Sequence, residues 1–179
     1  MNTMKILLAG FGGQGILFAG KFLVYTGMLA DKKVSWLPSY GPEMRGGTAN
    51  CSVIISDEPV GSPIVLKPDV LFAMNLPSLA KFEGEVKPGG KVFIDSTLIK
   101  RDCVREDVSA FYIPAGELAN ENDMARFANV IMVGKLIKET GLCDLETMEA
   151  VIRKNCPPTR PELVELNMKA FMLGYDYAN

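Results

Sequence analysis

Short apolar runs, each ended by a turn former, alternate along the chain with longer segments of helical period. Ile6-Leu7-Leu8-Ala9 stops at Gly10, and its length and glycine boundary predict a buried strand. From Gly15 to Ala30 the period becomes helical, with Ile16, Ala19, Leu23 and Gly27 along one side. Val34 to Leu37 predicts a second strand closed by Pro38, and Ser39 to Gly47 a glycine-rich loop. In Thr48 to Ser56, Cys51, Val53 and Ile55 alternate against Ser52, Ile54 and Ser56, which is strand periodicity.

Asp57-Glu58-Pro59 and Ser62-Pro63 are turn signals. Val70 to Met74 is a buried strand ending at Asn75, followed by a short helix from Leu76 to Glu83. Lys91 to Ile94, ending at Asp95, and Ala110 to Ile113, before Pro114, are further strands. Beyond Pro114 the chain turns helical. Met124 to Thr140 forms a helix stopped by Gly141, Asp144 caps Leu145 to Lys154, and Arg160 to Tyr177 follows the Pro157-Pro158 break. Strands alternating with helices predict one α/β domain over 1–179: three layers, α/β/α, around a mostly parallel, mixed sheet.

Composition narrows the chemistry. The 179 residues contain no histidine. A Ser-His-Asp triad, a Cys-His pair and a His metal site are therefore not built by this chain alone. Nineteen Lys and Arg against 21 Asp and Glu leave a net charge of -2, which argues against nucleic acid as the main partner. No apolar run reaches bilayer length, and the start Met1-Asn2-Thr3-Met4-Lys5 lacks the features of a signal peptide, so a cytoplasmic location is expected. Cys51, Cys103, Cys143 and Cys156 show no CxxC or CxxxC spacing; free thiols are expected, and no metal or iron–sulfur site of the chain's own.

Two loops carry candidate chemistry. Gly10-Phe11-Gly12-Gly13-Gln14-Gly15 satisfies G-x-G-x-x-G between a strand and a helix, where glycines let an anion approach helix N-terminal amides. A dinucleotide site also needs an acid at the end of the second strand. That strand ends in Trp36-Leu37-Pro38-Ser39-Tyr40, and the nearby Asp31 precedes it, so NAD binding is disfavoured. Close helix–strand packing is the plainer use of these glycines. The second loop sets Tyr40, Glu43 and Arg45 among Gly41, Gly46 and Gly47, ahead of Thr48. Arg45 is the best anion-binding candidate, because its planar fork grips a carboxylate or phosphate at two points. A surface turn with an internal Glu43–Arg45 pair is the plainer alternative. Asn75 and Asp95, at strand ends, rank second, since capping is their commoner use. Phe72, Phe93 and Tyr112 are expected in the core.

These segments also carry a resemblance. Gly10 to Gly15, Ser39 to Cys51, Pro68 to Asn75 and Glu165 to Tyr175 are similar to the gamma subunit of 2-oxoacid:ferredoxin oxidoreductases, over nearly the whole chain. Ser39 to Cys51 most resembles the 2-oxoglutarate branch; pyruvate is less expected, and a branched 2-oxoacid stays open. The resemblance implies a subunit, not active alone, of an enzyme converting a 2-oxoacid, coenzyme A and oxidised ferredoxin to acyl-CoA, carbon dioxide and reduced ferredoxin. It implies alpha and beta type partner subunits, with a ferredoxin-like subunit or soluble ferredoxin. Thiamine diphosphate and iron–sulfur clusters would sit on those other chains. No catalytic residue is expected here. Gly12, Gly13, Gln14, Gly15, Tyr40, Glu43, Arg45, Gly46, Gly47, Thr48 and Asn75 would bind a ligand or face another subunit. Alternatives from other classes are a stand-alone Rossmann-like nucleotide-binding oxidoreductase and an interaction subunit with no ligand of its own.

Overall fold

The computed structural model describes residues 3–39 and 48–178. Six strands form one mixed sheet: β1 (Thr3–Phe11), β2 (Lys33–Ser39), β3 (Thr48–Ser56), β4 (Val70–Ala73), β5 (Lys91–Asp95) and β6 (Ser109–Ile113). Their order across the sheet is β2-β3-β1-β4-β5-β6. β1, β4, β5 and β6 run parallel, while β3 is antiparallel to both β1 and β2. β2 therefore points the same way as β1, with β3 slotted between them. The helices are α1 (Ile16–Leu29), α2 (Leu76–Phe82), α3 (Ala115–Glu121), α4 (Ala128–Thr140), α5 (Leu145–Asn155) and α6 (Glu162–Tyr175). This is the α/β architecture with a mixed sheet that the periodicity predicts.

The pleat of β1 divides the core. Ile6 and Leu8 join the large cluster under α1, α4, α5 and α6, whereas Leu7 and Ala9 face the smaller one beneath α2 and the 96–108 segment. On β3, Cys51, Val53 and Ile55 belong to the large cluster. Ser52, Ile54 and Ser56 are buried too, under the 57–69 segment, so the strand alternates in direction but not in exposure. β2 runs through Pro38 instead of stopping there, because an edge strand tolerates a residue without an N–H.

Other boundaries shift for local reasons. The helix expected from Met124 begins as a single 3-10 turn, Ala125–Phe127, and becomes α-helical at Ala128. Asp144 caps α5 by accepting the Thr147 N–H at 2.8 Å. Tyr112 is half-buried, and its hydroxyl accepts the Cys103 N–H at 2.9 Å. α4 and α6 cross at Gly134 and Gly174 with almost no separation. A methyl at Gly174 would fall 1.7 Å from the Ile131 carbonyl oxygen, and one at Gly134 2.0 Å from that of Phe171. Only glycine allows backbones this close.

Candidate functional site

The carboxyl ends of β1, β4 and β5 share one edge of the sheet, and the chain order reverses between β1 and β4. That reversal is where open α/β sheets place a ligand crevice. The loop from Phe11 to Gly15 rises there and feeds α1. Gly15 is the residue before α1 and takes a left-handed conformation, φ 74°, with no side chain capping the helix. Its carbonyl accepts the Ala19 N–H at 2.9 Å. No acidic residue stands in the first turn of α1, so the positive end of the helix is uncompensated by its own side chains. The exposed amides of Gly12 and Gly13 have no acceptor among the described residues.

Gln14 is spent on the loop itself. Its Oε1 accepts the Phe11 N–H at 2.6 Å, and its Nε2 donates to the Met74 carbonyl at 2.9 Å. Asn75 is buried and caps α2, accepting the Ser78 N–H at 2.8 Å, while its Nδ2 lies 3.4 Å from Gln14 Oε1. Both amides hold backbone in place. The Gly12 and Gly13 amides are left without a partner among the described residues.

Beside the loop, a cavity of about 440 Å³ lies over the ends of β4 and β5. Gly13, Gln14, Met74, Asp95, Arg126 and Asn129 are among its walls. Asp95 is buried and accepts the Thr97 N–H at 3.0 Å; burial pushes its carboxyl up, against the backbone N–H groups that bond it. Arg126 is exposed on the rim and has no ion pair among the described residues. Across the loop, a second cavity of about 310 Å³ is lined by Phe11, Gly12, Gly15, Leu17, Phe18 and Ala49.

The hairpin joins this edge from the other side. Ser39 pairs with Asn50, and the backbone of Thr48 pairs with Phe11. Ser39 thus ends β2 and Thr48 begins β3 at this edge of the sheet. Tyr40, Glu43, Arg45, Gly46 and Gly47 lie outside the described residues. The two candidate loops, remote in sequence, are rooted on neighbouring strands.

Asn129 escaped the sequence reading. It sits in the first turn of α4, is 4% exposed, and donates from Nδ2 to the Gly15 carbonyl at 3.1 Å. Its signal was a polar residue inside the run Phe127-Ala-Asn-Val-Ile-Met-Val133. Among the described residues no three His, Cys, Asp or Glu side chains meet as a metal site, and no helix is long and apolar enough to cross a membrane. Cys51, Cys103, Cys143 and Cys156 are free thiols. These residues do not fit an iron–sulfur cluster or the metal that anchors a diphosphate.

Residues 5–177 match the family model described as pyruvate ferredoxin/flavodoxin oxidoreductase. Ketoisovalerate oxidoreductase subunit VorA of Methanothermobacter marburgensis is 41% identical over 99% of this chain, which spans 37% of that protein. The 2-oxoglutarate synthase subunit KorC of Methanocaldococcus jannaschii is 38% identical, with 97% of this chain and 93% of that one covered. The solved gamma subunit of a keto/oxoacid ferredoxin oxidoreductase from Geobacter sulfurreducens superposes with a TM-score of 0.81. It is 29% identical and covers 97% of this chain and 96% of that one.

Proposed function

The chain belongs to the pyruvate ferredoxin/flavodoxin oxidoreductase family, and we propose that it serves as the gamma subunit of a multi-subunit 2-oxoacid:ferredoxin oxidoreductase. The observation that carries this is the end-to-end correspondence with a named subunit of 2-oxoglutarate synthase. On this reading the complex converts a 2-oxoacid, coenzyme A and oxidised ferredoxin to acyl-CoA, carbon dioxide and reduced ferredoxin. Work beside ferredoxin puts it in the cytoplasm.

The chain's own residues bind and position. Thiamine diphosphate supplies an electron sink and iron–sulfur clusters take single electrons, but both belong to alpha, beta and ferredoxin-type partners. This chain forms one wall of the shared site. The Gly12 and Gly13 amides and the mouth of α1 receive a phosphate of coenzyme A or a substrate carboxylate. Arg45, from the hairpin rooted at Ser39 and Thr48, adds a bidentate grip.

2-Oxoglutarate is the favoured substrate, supported by the KorC match and by the segment Ser39 to Cys51. A branched 2-oxoacid is the second reading, because a ketoisovalerate enzyme subunit is 41% identical. Purification with partner chains, followed by a 2-oxoacid panel, decides between them. Arg45→Ala in the assembled complex tests the ligand role. A raised KM for coenzyme A or the 2-oxoacid, with assembly intact, supports it. Unchanged kinetics would sink it, and loss of assembly would make the hairpin an interface instead.

A further inference from the structure

The Gly15 carbonyl has two donors from different parts of the fold: the Ala19 amide of its own helix at 2.9 Å and Asn129 Nδ2 from α4 at 3.1 Å. A peptide unit is planar and trans, so the direction of the Gly15 C=O dictates the opposite direction of the Ile16 N–H. The Gly15 carbonyl points along α1, and the Ile16 N–H therefore points out of its mouth.

We infer that Asn129 is a positioning residue, holding the Gly15–Ile16 peptide so that the Ile16 amide stands beside those of Gly12 and Gly13 as an anion donor. The fit is tight: a β-carbon at Gly15 would come within 2.4 Å of Asn129 Nδ2. Asn129 is buried and makes no other polar contact with the described residues. Its helix is itself braced, because α4 and α6 touch backbone to backbone at Gly134 and Gly174. A donor mounted on so fixed an element sets the peptide more strictly than the helix hydrogen bond alone, which frays at a first turn. This assignment rests on the proposed anion role of the loop.

The test uses the whole chain, labelled for amide NMR and titrated with inorganic pyrophosphate, compared with Asn129→Ala and Asn129→Asp. Asn129→Ala leaves the Ala19 bond to Gly15 in place, and thermal melts verify that both variants fold. Shifts at Gly12, Gly13 and Ile16 in the parent, with affinity weakened on the order of tenfold in both variants, are the expected result. Asn129→Asp should be the weaker binder, since its carboxylate faces a carbonyl oxygen. Equal affinity in parent and folded variants overturns the positioning role alone. A parent that shows no shift at the three amides overturns the anion role of the loop, and this assignment with it. In the assembled complex, a raised KM for coenzyme A with kcat retained supports positioning, whereas the same change in KM and kcat in Asn129→Ala as in a remote destabilised variant reduces Asn129 to a packing residue.

Discussion

Gln14 reaches from the glycine loop to the Met74 carbonyl at 2.9 Å, across 60 residues of sequence, and so bridges β1 and β4 where the chain order reverses. The same amide satisfies the Phe11 N–H. One side chain therefore sets the shape of the loop and its registration on the sheet.

Gln14→Leu keeps the bulk and removes both bonds. It is expected to cost about 1–3 kcal/mol in urea denaturation, because two backbone groups lose their partner. Phe11 should also exchange its amide hydrogen faster. Gln14→Glu retains the acceptor for Phe11 but sets a carboxylate oxygen against the Met74 carbonyl, so it should be less stable at neutral pH than in acid. Unaltered melting of both variants would show that the bridge is incidental.

The α4–α6 crossing leaves no room for a methyl. Gly174→Ala should destabilise by about 3 kcal/mol or more, since its β-carbon meets backbone instead of a flexible side chain. Gly61→Ala, where the added carbon meets nothing within 4 Å, is the control and should change stability little. Chemical denaturation of the pair measures the contrast.

Burial pushes the Cys51 thiol up to about 12 and that of Cys143 to about 11, with Asp144 adding to the latter. Neither carries a useful thiolate fraction near neutrality. Iodoacetamide at pH 7.5 should leave both unmodified in the folded chain and alkylate all four cysteines in denaturant, as read by mass spectrometry. Fast labelling of Cys51 in the folded state would contradict the packing against α1.

Burial also pushes the Glu83 carboxyl up, but two Arg101 nitrogens at 2.6 and 3.1 Å and the Val104 N–H together outweigh it, and the net effect is a lowered pKa. A lowered carboxylate contributes stability above its unfolded value of about 4.3, and loses it as pH falls through the folded value. Glu83→Gln should therefore cost about 2 kcal/mol at pH 7, with a deficit that shrinks in acid below that point. Denaturation curves of both proteins across that range check the sign. The pair ties the 96–108 segment over the smaller core, so proteolysis there should quicken in the variant.

How far these features could be read in advance depends on whether their cause is local. β1, the glycine loop and the start of α1 are written in consecutive residues, and the structure keeps them as expected. The cap by Asp144 is equally local. The place of β3 is not: alternation at Cys51, Val53 and Ile55 announces a strand but says nothing about which strands flank it. Asn129 is in sequence only a polar interruption of an apolar helix, because its partner Gly15 lies 114 residues away. Gly134 and Gly174 gave no sign of meeting, since contact between two helices leaves no mark in either one's period. Gln14 and Asn75 stand at the carboxyl ends of β1 and β4, but their amides are occupied by backbone.

Slotting β3 between β1 and β2 moves the tip of β2 two strand spacings from β1, about 10 Å instead of about 5 Å. An acid placed at that tip would stand too far from α1 to grasp a ribose whose phosphates rest on the glycine loop. The fold thus forgoes the dinucleotide arrangement by connectivity, whatever residue occupies position 39. The space nearest the loop on that side belongs to the returning strand, and a visitor there meets a hairpin root where other sheets offer a sugar clasp.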